Sequence, residues 1–121
     1  MSDMKILIVD DEEMLRELLN RLLRKSGHFV LESADAEGAF EVFVKNFDID
    51  LVITDFRMHG DSGIDLINKI RNNRDARIWL VSNVLQDHIK QLALSSGAEQ
   101  ALEKNDLFLK LVDQGIVTTA D

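Results

Sequence analysis

The sequence predicts an α/β domain: one parallel sheet with helices on both faces, built from five β–α units. Three observations predict it. Short unbroken apolar runs recur along the chain, as strands buried on both faces require. Each run is followed by a segment whose apolar residues fall at helical spacing, and short connections join them. The length, 121 residues, suits one compact unit. No linker, low-complexity stretch or repeat divides the chain. A single domain is therefore expected over residues 1–121, with its core at about 4–115 and 116–121 as a frayed tail or a stub leading elsewhere.

Residues 6–9 (Ile-Leu-Ile-Val) form the first strand. From Glu12 the period changes, and Leu15, Leu18, Leu19, Leu22 and Leu23 share one helical face. Glu12 and Glu13 at its start and Arg24 and Lys25 near its end complement the helix dipole, and Gly27 stops it. Residues 29–31 are the second strand. Asp35 is placed to cap a helix carrying Ala36, Ala39, Phe40 and Phe43. Residues 50–54 make the third strand, and a loop over 55–62 leads to a helix with Ile64, Ile67 and Ile70. The fourth strand is 78–81, followed by a helix bearing Leu85, Ile89, Leu92 and Ala93 and stopped by Gly97. A weaker fifth strand, 98–102, precedes a short helix capped by Asn105 or Asp106, carrying Phe108, Leu111 and Val112 and ending at Gly115.

Composition narrows the function. Asp and Glu number 22 against 14 Lys and Arg, a net charge of -8, which repels phosphate backbones and anionic lipid and argues against nucleic-acid or membrane partners. Cysteine is absent, which excludes disulfides, thiolate metal sites and cysteine nucleophiles. Proline is absent too, so no low-cost cis peptide exists. Hydrophobic residues, 45% of the chain, are too many for disorder, and no apolar run is long enough to span a bilayer. No charged-then-apolar leader opens the sequence. A soluble, cytoplasmic domain is expected.

Ligands of open parallel sheets bind beyond the carboxyl ends of the strands, at a switch in strand order. After the first strand come Asp10 and Asp11, after the third Asp55, after the fourth Ser82 and after the fifth Lys104. Clustered carboxylates on rigid strand ends make a hard oxygen site suited to Mg²⁺. Such a metal screens an aspartate from an incoming phosphoryl group, and the aspartate can then attack to form an acyl phosphate. A lysine and a serine hydroxyl can hold the new phosphoryl oxygens. Taken singly, each residue has a plainer role: Asp11 as a helix cap, Asp55 in a turn, Ser82 as another cap, Lys104 as a solvated charge. Together, at successive strand ends, the plain roles require too many coincidences.

The sequence resembles the receiver domain of two-component response regulators, the CheY-like superfamily, over essentially its whole length. The resemblance rests on Ile6-Leu7-Ile8-Val9-Asp10-Asp11-Glu12, on Leu51-Val52-Ile53-Thr54-Asp55-Phe56-Arg57-Met58 with Gly63 downstream, on Val81-Ser82, and on Gly97-Ala98 with Lys104. It implies a flavodoxin-like (βα)5 fold with strand order 2-1-3-4-5, an order for which a member of this family is a standing illustration. It implies that Asp55 accepts a phosphoryl group from the phosphohistidine of a sensor histidine kinase or a phosphotransfer protein. Asp11 and Asp55 would ligate Mg²⁺ directly, the Arg57 backbone carbonyl would be a third ligand, and Asp10 would act mainly through water. Lys104 would pair with the phosphoryl group and Ser82 would move to hydrogen-bond it, shifting an equilibrium read on the face of the fourth helix, fifth strand and fifth helix. A downstream output domain or protein, and a monomer or weak dimer, are the expected context.

Several positions depart from the family's pattern. Ala101 stands where an aromatic usually follows the hydroxyl's movement, so the relay lacks its second member. Asn105 replaces the proline after the lysine, and His59 the proline after the methionine. Asn83 takes the place of a small residue; either its bulk narrows access to Asp55 or its amide donates to the phosphoryl group. Arg57 either reaches the phosphoryl oxygens or occupies the anionic pocket. Phosphorylation with non-standard kinetics and readout is expected. The rival is an interaction module that signals without phosphorylation. An aspartyl-nucleophile phosphatase is less favoured, because it needs an Asp where Arg57 stands. Gly60-Asp61-Ser62-Gly63 matches the serine-protease nucleophile motif by accident, since that fold needs a longer chain. His28, His59 and His88 lack metal-ligand spacing and are assigned to surface or loop positions, and Trp79 to the core.

Overall fold

The computed structural model describes residues 3–119. The elements alternate along the chain as β1 (Lys5–Val9), α1 (Glu13–Lys25), β2 (Phe29–Ser33), α2 (Ala36–Lys45), β3 (Leu51–Asp55), α3 (Gly63–Asn73), β4 (Arg77–Ser82), α4 (Asp87–Ser96), β5 (Gln100–Glu103) and α5 (Lys104–Asp113). The strands form one parallel sheet in the order β2-β1-β3-β4-β5. The flavodoxin-like arrangement expected from the sequence is therefore the observed one.

Why the central strands read as continuous apolar runs is now visible. Alternate residues serve different cores. Leu7, Val9, Val52, Ile78 and Leu80 pack with Ala39, Phe43, Ile67, Ile70 and Ala93 from α2, α3 and α4. Ile6, Ile8, Leu51, Ile53, Trp79 and Val81 pack with Leu19, Leu23, Leu107 and Leu111 from α1 and α5. A period of two along each strand, with both faces covered, leaves few polar positions; one is Thr54, buried in β3 with its hydroxyl donating to the Asp55 carbonyl. Each fully buried Leu or Ile contributes roughly 1.5–3 kcal/mol to this packing.

The caps follow the local chemistry. The Asp35 carboxylate accepts the Gly38 N–H at 2.7 Å, as expected. Ser62 and Asp65 form a reciprocal capping box at the start of α3, and Asp61 pairs with Lys69 at 3.0 Å, which gives the Gly60-Asp61-Ser62-Gly63 motif its structural role. Gly97 ends α4 with φ 116°, a left-handed conformation that glycine adopts at little cost.

Three expectations need correction. The helical stripes are narrower than the apolar pattern implied: Leu18, Leu92 and Phe108 are 54%, 47% and 45% exposed. In α5, which starts at Lys104, it is Leu107 and Leu111, four residues apart, that face the sheet. Asn105 and Asp106 consequently lie inside its first turn, and Glu103 is the N-cap. The expected tail starts later than Ile116. Ile116 and Val117 are buried, and the Thr118 N–H donates to Ser26 Oγ at 3.1 Å; the last two residues lie outside the described ones. His28 does lie in a loop, the connection between α1 and β2, but it is buried there. Its Nδ1 accepts the Met4 N–H at 3.0 Å and its Nε2–H donates to the Ile116 carbonyl at 2.6 Å, which fixes the neutral tautomer and fastens the segment after α5 to the start of β1.

Candidate functional site

The strand order reverses between β1 and β3, and the acidic residues cluster at the carboxyl ends of those two strands. Asp10 follows β1 directly. Its N–H donates to the Ser33 carbonyl at 3.1 Å, its own carbonyl accepts from Arg16 Nη1 at 2.7 Å, and its Oδ1 accepts the Glu12 N–H at 2.9 Å. The carboxylate is thereby held in place and nearly sealed from solvent. Asp11, one residue on, is exposed.

Asp55 is not a turn residue; it closes β3, in register with Val81. The chain then bends sharply, with the Phe56 N–H donating to the Val81 carbonyl and the Gly63 N–H to the Phe56 carbonyl, both at 2.9 Å. The start of α3 passes so close to β3 that a Cβ at Gly63 would fall inside the Asp55 carbonyl oxygen and lie 2.9 Å from Leu80 Cδ1. Glycine at position 63 is a requirement of that approach.

Lys104, the first residue of α5, extends its ammonium into the cluster. Nζ lies 3.1 Å from Asp10 Oδ2, 3.3 Å from Asp55 Oδ2 and 3.3 Å from Glu12 Oε1. Burial pushes the Asp55 carboxyl up from its ordinary range, the neighbouring Asp10 charge pushes the same way, and Lys104 only partly opposes them. Burial pulls Lys104 down, but the hydrogen bond to Asp10 and the charge of Asp55 outweigh it and hold the ammonium above its ordinary value.

A raised carboxyl pKa means that the folded state binds the Asp55 proton more tightly than the unfolded chain does. Its ionisation therefore costs stability as pH rises from the ordinary carboxylate range through the raised folded value. Asp55→Asn removes that cost and leaves Lys104 its Asp10 and Glu12 partners. We expect the variant to melt above wild type at neutral pH. The gap should close as pH falls toward the ordinary carboxylate range; paired thermal melts across that range check it.

Oxygens of Asp10, Asp11 and Asp55 lie within 4.8 Å of one another. Three hard carboxylate donors on the ends of two paired strands fit a small divalent cation such as Mg²⁺. Above them opens a cleft of about 460 Å³ bordered by Asp11, Asp55, Arg57, Ser82, Asn83 and Lys104. Every site residue singled out in the sequence except Asp10 and Ala101 borders this cleft. Arg57 and Asn83 are exposed at the cleft, the Arg57 guanidinium 5.9 Å from the Phe56 ring. Ala101 is buried in β5 opposite Leu80. The Ser82 hydroxyl donates to the Val84 carbonyl at 2.9 Å. The Lys104–Asn105 peptide is trans; no cis bond occurs among the described residues.

Two residues escaped the sequence reading. Glu12, which the sequence marks as a dipole partner and as the end of the acidic motif but not as a site residue, shares the Lys104 ammonium; its place directly after the acidic pair is the available signal. Glu103 accepts the Leu85 N–H at 3.0 Å, and nothing in its local sequence marks it.

A five-stranded doubly wound sheet with an acidic cluster, a lysine and a hydroxyl around its switch point defines a receiver-type signalling domain. The family model described as response regulator receiver domain matches residues 6–113, and the chain belongs to that family. It is 35% identical to the transcriptional regulatory protein YvrH of Bacillus subtilis over 105 residues, covering 86% of this chain and 44% of that protein. It is 39% identical over 76 residues to chemotaxis protein CheY-3 of Vibrio cholerae, covering 63% of this chain and 58% of the relative. The chain thus spans about half the length of these curated relatives. Among solved structures, a response regulator receiver domain protein from Clostridium thermocellum superposes with TM-score 0.82 at 28% identity, over 93% of this chain and 94% of that one. A Vibrio cholerae chemotaxis protein, CheY4, shares the fold with TM-score 0.84 at 24% identity, over 93% and 98% of the two chains. No helix among the described residues is long and apolar enough to cross a membrane.

Proposed function

We propose that this chain is a phosphoryl-accepting switch in a two-component phosphorelay, with Asp55 as the acceptor. The observation that carries the reading is the Asp55 carboxylate itself, set at the switch point 3.3 Å from an ammonium and within ligand range of two further carboxylates. One Asp55 oxygen attacks the phosphorus of a phosphohistidine on a sensor kinase or phosphotransfer protein. The P–O bond forms as the P–N bond breaks, the electron pair stays on the imidazole nitrogen, and an acyl phosphate results. Asp11, Asp55 and the Arg57 carbonyl would hold Mg²⁺, with Asp10 acting through water; when bound, the ion neutralises charge between carboxylate and phosphoryl group. Lys104, already at Asp55, turns its charge to the phosphoryl oxygens. Ser82, Asn83 and Arg57 border the space those oxygens enter. The output is an effect on a domain or protein downstream in the cytoplasm, without direct nucleic-acid or membrane contact by this chain, which acts as a monomer or weak dimer.

Incubation with Mg²⁺ and acetyl phosphate, read by intact mass, tests this. A single adduct that depends on Mg²⁺ and is lost in Asp55→Asn is expected. No adduct, together with no Mg²⁺ binding by calorimetry, would favour the phosphorylation-independent module, the second reading, which Ala101 in place of a relay aromatic supports. Trp79 is a poor reporter for the metal: it is fully buried toward α1 and α5, and its indole N–H donates to Glu99.

A further inference from the structure

The loop between β4 and α4 is fastened at one peptide unit from two sides. Ser82 Oγ donates its single proton to the Val84 carbonyl at 2.9 Å. The N–H of that same peptide, carried by Leu85, donates to Glu103 Oε2 at 3.0 Å. A trans peptide is planar, so its carbonyl and N–H point in opposite directions and rotate together. Any rotation of the Val84–Leu85 plane that moves one group moves the other. Glu103 is well placed for its part: it is the last residue of β5, in register with Ser82, and it precedes Lys104. Its backbone is held by the sheet and by the start of α5, whereas the loop it grips carries exposed residues at 83, 84 and 86.

We infer that Glu103 is a positioning residue that couples the β4–α4 loop to β5, locking the Val84–Leu85 peptide and through it the Ser82 hydroxyl in the resting arrangement. The inference rests on the phosphoryl-acceptor reading of the site. A hydroxyl has one proton to give, so Ser82 cannot donate to Val84 and to an oxygen on Asp55 together. Turning toward Asp55 means abandoning the Val84 carbonyl. While Glu103 holds the other side of that peptide, the carbonyl stays aimed at Ser82 and competes for its proton. Ala101, two residues earlier in β5, offers only a methyl group; the carboxylate of Glu103 is the β5 side chain that reaches this loop by hydrogen bond. Adjacent residues thereby divide the work, Glu103 holding the loop and Lys104 the carboxylates.

The test compares wild type, Glu103→Ala and Glu103→Gln by two measurements. One is hydrogen exchange at the Leu85 amide; the other is the affinity for beryllofluoride, a phosphoryl mimic, in Mg²⁺. Glutamine keeps an acceptor oxygen, so it should preserve Leu85 protection and bind beryllofluoride within twofold of wild type. Alanine should lose the protection and bind roughly fivefold more tightly, because the competing arrangement has lost one hydrogen bond to a charged acceptor. Unchanged affinity in Glu103→Ala, or a glutamine variant behaving like alanine, overturns the coupling. Wild type that takes up no beryllofluoride overturns the acceptor reading instead, and Leu85 exchange that is equal in all three proteins overturns the lock itself.

Discussion

Gly63→Ala is expected to lose about 3 kcal/mol or more of stability and, with it, the ordered placement of the Asp55 carboxylate. The glycine's φ is unexceptional, so backbone strain is not the cause. The cost is steric: the new methyl group meets the Asp55 carbonyl oxygen, the Asp55 carbonyl carbon at 3.2 Å and Leu80 Cδ1 at 2.9 Å. A leucine side chain can turn aside, but the Asp55 backbone belongs to a strand paired on both sides and cannot. Either α3 retreats and opens the core around Ile64 and Ile67, or β3 bends and displaces the Asp55 carboxylate. Gly60→Ala is the control. Its φ is 82° with nothing within 4 Å of a built Cβ, so only conformational strain of about 1 kcal/mol is expected. Urea unfolding of the two variants measures the difference; equal losses would show that the close approach at Gly63 is unimportant.

Lys104→Met carries the second large effect. The substitution keeps much of the side chain's apolar length but removes the charge that Asp10, Asp55 and Glu12 share. Removing one partner of a buried ion pair typically costs about 3–5 kcal/mol; the open cleft beside Asp11 and Glu12 favours the lower end. The carboxylates left behind repel one another, so protonation of the folded state becomes more favourable. The deficit should therefore be greatest at neutral pH and shrink as pH falls into the carboxylate range, where the charges disappear. A divalent cation should do the same at constant pH. Mg²⁺ is expected to raise the melting temperature of Lys104→Met more than that of wild type, since in wild type it competes with an ammonium already in place. Melting curves with and without Mg²⁺ at two pH values decide this. A variant as stable as wild type at neutral pH would mean that the acidic cluster does not need the lysine.

How much of this was legible in the residues differs by element. The central strands were plain because burial on both faces favours apolar side chains, and Ile6 to Val9 and Leu51 to Ile53 are unbroken apolar runs. The acidic pair, Asp55, Ser82 and Lys104 were legible because topology sends every strand's carboxyl end to the same edge. The phase of α5 was not. Phe108 and Leu107 are adjacent and both apolar, so the local pattern does not say which one turns inward; Leu107 is buried and Phe108 is exposed. The loop position of His28 was legible but its burial was not, because its partners, Met4 and Ile116, are 24 and 88 residues away. Glu103 was invisible for the same reason: its bond to Leu85 spans 18 residues and depends on strand register. Long-range polar contacts of this kind leave no periodic trace in a sequence.

The imidazole of His28 has a mechanical consequence. One of its nitrogens holds the amide of Met4 and the other the carbonyl of Ile116, so the entry to the first strand and the stretch following the last helix meet on a single ring. Tension applied between those two points would load these two hydrogen bonds in series, alongside the bond from the Phe29 N–H to the Met4 carbonyl that begins the pairing of β1 with β2. The domain should therefore yield first at this clasp, releasing Ile116 and Val117 from beneath α1 and α5, while the sheet that carries Asp55 stays whole.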